Sequence, residues 1–266
     1  MEPSEIIGYT CALAVGLVLG LIGSGGSIMT VPILSYLFHI NPITTTAYSL
    51  FIVGTSASVG SIRFLKHGMI DMKIALWFAL PALTVIYSVR NFLIHRLPAH
   101  IMVNDLILFN RDRAIMILFA LILILASVSL ICFKSDSLEK PVDAAPRPLL
   151  LAGMGAFVGL ITGLVGVGGG FMIIPGLVLF AGLPMMKGVA TSLFIIAVNS
   201  MIGFTGNLGR MEIDWYFLLS FSAISMLGIL IGTRISHFFP SGHLKTVFGW
   251  LCLVTALLIL YHELFP

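Results

Sequence analysis

Residues 24–27 read Ser24-Gly25-Gly26-Ser27 and residues 168–170 read Gly168-Gly169-Gly170; each cluster interrupts an apolar run and is followed by a proline, Pro32 or Pro175. Consecutive glycines let a chain leave helical geometry. The helix that restarts after them presents free N–H groups and the positive end of its dipole, which together attract anions. Ser24, Gly25, Gly26, Ser27, Gly168, Gly169 and Gly170 are therefore candidate substrate-binding residues.

The segment after each break carries most of the remaining polar groups. Ser49, Thr55, Ser56, Ser58 and Ser61 stud the first, and Thr191, Ser192, Asn199, Ser200, Thr205 and Asn207 the second. Serine and threonine in apolar helices often bond only to the preceding turn. Asn199 differs, because an amide deep in an apolar span is costly without a partner. Asn199, its repeat mate Ser56, and Ser200 complete the candidate substrate-binding set.

Catalytic chemistry finds little support. The 11 carboxylates and 7 histidines fall in or near loops and segment ends, which leaves no acidic relay in mid-span. There is no H-E-x-x-H, no G-x-G-D and no mid-span histidine to activate Ser24 or Ser27. No catalytic residue, metal or cofactor is expected. Cys11, Cys132 and Cys252 lie in apolar segments and read as packing residues.

The elements that must hold these residues are set by composition. With 59% hydrophobic residues, 9% charged residues and a mean hydropathy of +1.10, the chain is an integral membrane protein. A net charge of +3 is too small and scattered for nucleic-acid binding. The expected partners are the lipid bilayer and a small anion, with a homo-oligomer left open. The N-terminus lacks the basic region of a signal peptide, so the first apolar stretch is expected to remain. Helical segments are expected at 5–22, 28–39, 44–65, 73–94, 113–133, 148–166, 171–182, 187–208, 214–236 and 243–262. The two short ones, 28–39 and 171–182, each follow a glycine cluster.

A polar, proline-rich stretch at 134–148 divides the chain, and the halves match. Aligning Gly16 with Gly159, 143 positions apart, pairs GLVLGLIGSGGSIMTVPIL with GLITGLVGVGGGFMIIPGL. The same offset pairs AYSLFI at Ala47 with ATSLFI at Ala190, and Ile70-Asp71 with Ile213-Asp214. The expected architecture is an all-α membrane protein of about eight transmembrane segments. It comprises two homologous four-segment repeats, 1–133 and 149–266, joined by the linker at 134–148. The first segment of each repeat is broken at its Gly-rich motif. Gly16/Gly20 and Gly159/Gly163 have the G-x-x-x-G spacing of close helix contacts. Gly16→Ala is accordingly expected to be mild.

These paired segments, the ATSLF stretch at Ala190 to Phe194 and the hydrophilic linker resemble the sulfite exporter TauE/SafE family of membrane permeases, including those similar to 4-toluene sulfonate uptake permeases. The resemblance implies a carrier of small, often sulfur-containing anions such as sulfite or organosulfonates, in the cytoplasmic membrane of a prokaryote. Export could run downhill, since a membrane potential contributes about 2.3 kcal/mol per charge per 100 mV. Uptake of a related anion and a non-transporting assembly subunit are the alternatives.

If each broken segment runs straight through, the repeats are parallel. If each folds back as a hairpin, they are inverted, and the basic residues segregate. Arg63, Lys66, Lys73, Lys134, Lys140, Arg147, Lys187, Arg234 and Lys245 then share one side, against Arg90, Arg96, Arg111, Arg113 and Arg210. The inverted arrangement is the one expected, with the first group cytoplasmic and both termini outside. The two glycine clusters are expected to face each other at mid-membrane.

Overall fold

The structure, a computed structural model, describes residues 3–23, 26–93, 100–103, 107–132, 148–166, 169–209, 211–236 and 241–264. Its helices are α1 (Pro3–Ile22), α2 (Gly26–Pro32), α3 (Pro42–Lys66), α4 (Met72–Ser88), α5 (Arg111–Cys132), α6 (Pro148–Val165), α7 (Gly170–Ala181), α8 (Met185–Thr205), α9 (Trp215–Ile235) and α10 (Ser241–Leu264). Single π-helical turns, Ile33–Leu37 and Val89–Leu93, extend α2 and α4. Among the described residues, five helices are long and apolar enough to cross a membrane: Pro42–Lys66, Met72–Phe92, Pro148–Val165, Met186–Thr205 and Trp215–Ile235. Shorter apolar helices cover Ile7–Ile22, Ile28–Leu37, Arg113–Val128 and Gly249–Leu264.

The described residues are helical as expected, apart from one short hairpin. Strands β1 (His100–Val103) and β2 (Ile107–Asn110) pair antiparallel between α4 and α5, with His100 opposite Asn110. The sequence places Asn104-Asp105, a turn-favouring pair, between two short apolar runs. The linker at 134–147 lies outside the described residues.

Local capping chemistry repeats between the halves. Asp71 caps α4 by accepting from the Ile74 N–H at 3.0 Å, and Asp214 caps α9 by accepting from the Phe217 N–H at 3.0 Å. The backbone N–H of Asp71 donates to Thr191 Oγ1 at 3.1 Å, and that of Asp214 to Tyr48 Oη at 2.7 Å. Each member of the first set lies 143 positions from its mate.

Tertiary packing follows the same exchange. The first helix of each half packs on the fourth helix of the other, α1 on α9 and α6 on α4. Along α1, Gly16 meets the Ser225 carbonyl, and a Cβ on Gly20 would stand 2.6 Å from the Ile229 carbonyl oxygen. On the facing side, Gly228 and Gly232 meet the carbonyls of Leu13 and Leu17. These pairs advance together, so α1 and α9 run parallel. Gly155, Gly159 and Gly163 descend along Phe78, Ala82 and Val89 in the same sense. At the centre α3 and α8, largely buried, run antiparallel: Gly54 lies against Met201 and Gly60 against Leu193. Helices α5 and α10 are antiparallel too. Arg113 Nε is 4.0 Å from Glu263 Oε2, and Ser127 Oγ donates to the Gly249 carbonyl at 2.9 Å.

At both breaks the chain turns back on the helix it has just left. A Cβ on Gly26 would lie 2.5 Å from the Val15 carbonyl oxygen, and Gly8 meets the Phe38 ring. In the second half, a Cβ on Gly169 would lie 2.7 Å from Val158 Cγ1 and one on Gly176 2.8 Å from Met154 Cε. Each broken segment is a hairpin.

The geometry revises the expectation for Gly16. A methyl group there has no room against the Ser225 backbone, whereas Gly153, on the same kind of helix, has nothing within 4 Å of its Cβ position. Gly16→Ala and Gly155→Ala should each lose about 1–3 kcal/mol of stability. Gly153→Ala should be neutral or gain about 0.5–1 kcal/mol. Thermal unfolding in detergent compares the three; equal midpoints would show that the contacts yield freely.

Candidate functional site

The first break begins at Gly23, whose φ of +78° requires glycine. Its N–H donates to the Leu19 carbonyl at 2.8 Å, and its own carbonyl accepts from Ser192 Oγ at 3.3 Å. A Cβ there would stand 2.6 Å from Val189 Cγ1. Gly26, buried at the start of α2, offers its carbonyl to Thr30 Oγ1 at 2.8 Å. Ser24 and Gly25 lie outside the described residues. Ser27 falls in the first turn of α2.

The second break has the same backbone and different neighbours. Gly166 has φ +74°, and its N–H donates to the Thr162 carbonyl at 2.8 Å. A Cβ on it would meet Thr46 and stand 2.5 Å from Arg90 Nη2. Gly169, φ +66°, is the N-cap of α7, and its carbonyl accepts from the N–H groups of Met172 at 3.0 Å and Ile173 at 3.2 Å. The nearest heavy atom to its Cβ position is Thr162 Oγ1, which is buried without a hydrogen-bond partner. Gly170 opens α7 and is buried. Gly168 lies outside the described residues.

The described residues of the two breaks, Gly23 and Gly26 in one and Gly166 and Gly169 in the other, do not face each other. The first sits at Val189, near the start of α8. The second sits at Arg90, whose Cβ is 3.1 Å from a Cβ built on Gly206, just past the end of α8. From Val189 to Gly206 the helix rises about 25 Å. Because α1 and α6 each cross nearly the full bundle before turning, the glycines fall at opposite ends of the α3/α8 pair.

Between them, Ser56 and Asn199 occupy the middle of that pair. They are repeat mates, 143 positions apart in the sequence. Ser56 Oγ donates to Ser225 Oγ of α9 at 3.0 Å. Asn199 is 1% exposed and its Oδ1 has no hydrogen-bond partner; Ser200 Oγ is in the same condition. The structure thus brings Ser56, Asn199 and Ser200 to the centre of one helix pair. It does not bring the glycine clusters to that centre. Thr55, Ser58, Ser61 and Thr205 bond to their own preceding turns.

Two further features were hidden in the sequence. Ser49 and Ser222 carry buried hydroxyls without hydrogen-bond partners. Arg90, which reads as an interfacial anchor at a segment end, is fully buried, and its Nη1 donates to Thr46 Oγ1 at 3.0 Å. A charged side chain within an apolar span costs at least about 2.5–3.5 kcal/mol at depth, and that was the available signal. Among the described residues no three His, Cys, Asp or Glu side chains gather as a metal site would require.

A family model described as "Sulfite exporter TauE/SafE" matches residues 9–259. A "Probable membrane transporter protein" of Xylella fastidiosa (strain 9a5c) is 26% identical over 257 residues, covering 94% of this chain and 92% of its own. The "Probable membrane transporter protein YdhB" of Bacillus subtilis (strain 168) is 25% identical over 246 residues, covering 92% and 96%. The "Probable membrane transporter protein MJ0441" of Methanocaldococcus jannaschii is 28% identical over 249 residues, covering 84% and 86%. No solved structure matches the chain.

Asn199 gives a stability test of its own. An unpartnered buried acceptor costs about 1–3 kcal/mol, so Asn199→Leu, which keeps the branching and the number of side-chain heavy atoms, should unfold at the wild-type temperature or above it. A clearly lower midpoint would mean that the amide supports the fold.

Proposed function

The chain belongs to the sulfite exporter TauE/SafE family and is a multi-pass membrane transporter, and from that premise we propose that it exports a small, sulfur-containing anion such as sulfite or an organosulfonate across the cytoplasmic membrane. One observation carries this reading. The α3/α8 pair has a glycine break at each end and, at its centre, Asn199 Oδ1 and Ser200 Oγ buried without partners. Buried polar groups left open in one state are the groups a polar substrate meets in another.

Gly26 stands at one end of the path and Gly169 and Gly170 at the other; Ser24, Gly25, Ser27 and Gly168 are proposed with them as substrate-binding residues. Ser56, Asn199 and Ser200 are the contacts midway. With each hairpin counted as one segment, the chain has about eight segments. They form two four-segment repeats, 1–133 and 149–266, flanking the linker at 134–148. The antiparallel course of α3 with α8 and of α5 with α10 supports inverted repeats. The basic side holding Arg63, Lys66, Lys187 and Arg234 is then cytoplasmic. The substrate is carried unchanged, with no catalytic step.

Energetics agree with export. A monovalent anion leaving a compartment whose interior is negative by roughly 150 mV gains about 3.5 kcal/mol without a coupled ion. Uptake of a related anion is the second reading, favoured by Arg90, which this orientation puts near the outer end of α8.

Vesicles reconstituted with the protein and loaded with sulfite, thiosulfate, sulfoacetate or acetate should release at least one of them in response to potential. Gly26→Val and Gly169→Val should abolish that flux, and Asn199→Leu should lower it about tenfold or more. Flux no greater than from protein-free vesicles, for every anion and both directions, would leave only the assembly-subunit reading.

A further inference from the structure

The two breaks share a backbone and differ in chemistry. Corresponding positions pack on them identically: Val189 on Gly23 as Thr46 on Gly166, and Val15 with Leu19 on Gly26 as Val158 with Thr162 on Gly169. The mate of Arg90 is Thr233. The first break is packed by Val15, Leu19 and Val189, with Ser192 and Thr30 bonded to its carbonyls, and the second by Val158, Thr162, Thr46 and Arg90. At the first break the hydroxyls of Ser192 and Thr30 are already committed to the carbonyls of Gly23 and Gly26, whereas the second break has a buried hydroxyl without a partner, Thr162 Oγ1, and a buried arginine.

We propose that Arg90, Thr162 and the first turn of α7 form an oxyanion-binding site at the second break, and that the first break has no such site. This rests on the transport reading above and specifies where its substrate is held. Helix α7, 12 residues long, aims its positive end at the glycines, and its intrahelical N–H bonds begin only with Met172 and Ile173. Thr162 Oγ1, 1% exposed and unpartnered, points at the Gly169 cap. The Arg90 guanidinium, fully buried, lies against Gly166, three residues earlier in the chain. Three residues span at most about 10 Å, so one head group with two or more oxygens can meet both.

The chemistry selects its ligand class. A planar guanidinium fork recognises paired oxygens, and a hydroxyl with a helix N-terminus supplies donors to a third. Sulfonate, sulfite and carboxylate heads fit; a monatomic anion does not use the fork. Thr46 Oγ1, accepting from Nη1 at 3.0 Å, fixes the plane of the guanidinium and is a positioning residue.

The test is binding to the full chain in detergent, followed by thermal shift with methanesulfonate, sulfite, acetate and chloride as separate probes. Wild-type protein should be stabilised by at least one oxyanion and not by chloride. Arg90→Gln should weaken that response at least about tenfold, and Thr162→Val about threefold to tenfold. Arg90→Lys should bind with intermediate affinity, and Thr233→Val, at the mate position, should bind as wild type. If Arg90→Gln is lost on extraction, Thr162→Val decides alone. Wild-type binding in Thr162→Val, or in a folded Arg90→Gln, overturns this site while leaving transport intact. Absence of any oxyanion response in a wild-type protein that also shows no flux removes both readings.

Discussion

Backbone contact between α1 and α9, and between α6 and α4, is the constraint on which the rest of the molecule hangs. In lipid no hydrophobic force draws helices together, so association depends on close van der Waals packing, and small residues permit it. Gly16, Gly20, Gly228 and Gly232 bring one pair of backbones together; Gly155, Gly159 and Gly163 bring the other. Each pair joins the first helix of one half to the fourth of the other. Neither half can complete its own glycine face, so the halves interlock, and α3 with α8 is enclosed between them.

That enclosure decides where irregular backbone can lie. Non-helical chain at membrane depth survives only when protein or trapped water satisfies its polar groups. The described edges of both breaks are packed by the neighbouring half. The Gly23 carbonyl accepts from Ser192 of α8, and Gly166 is packed by Thr46 of α3. Since α1 and α6 extend almost across the bundle before turning, the partners lie at the ends of α3 and α8. The positive ends of two helix dipoles repel when they face each other closely, and at about 25 Å apart that repulsion is slight.

The helical segments were legible because their apolar runs are long and their ends carry recognisable caps, as Asp71 and Asp214 do. The duplication was legible because steric demands at Gly16 and Gly159 preserve identity. Depth was not legible. A Gly-rich break reads the same in a straight and in a reversed chain, and only contacts such as Gly8 with Phe38 tell them apart. The severity of Gly16→Ala was hidden for a related reason: spacing announces a contact, and the partner's carbonyl sets its closeness. Arg90 escaped notice because an arginine near the end of an apolar span usually reaches the interface. Its burial comes from Gly166 and Gly206, distant in sequence.

Duplication explains the scaffold, and departures from it explain the chemistry. Where the demand is geometric, the halves agree: glycine at 23 and 166, glycine at 26 and 169, aspartate at 71 and 214. Where the demand is only for an acceptor, they agree in function and not in residue, as Thr191 and Tyr48 do opposite the two aspartate N–H groups. Where the surroundings of a break are concerned they diverge outright, Leu19 against Thr162 and Thr233 against Arg90. A steric match held constant beside a chemical mismatch is what a pathway with two unlike ends needs. The two ends of the α3/α8 pair thus share a backbone and differ in chemistry: an arginine packs on the glycine at one and a valine on the glycine at the other.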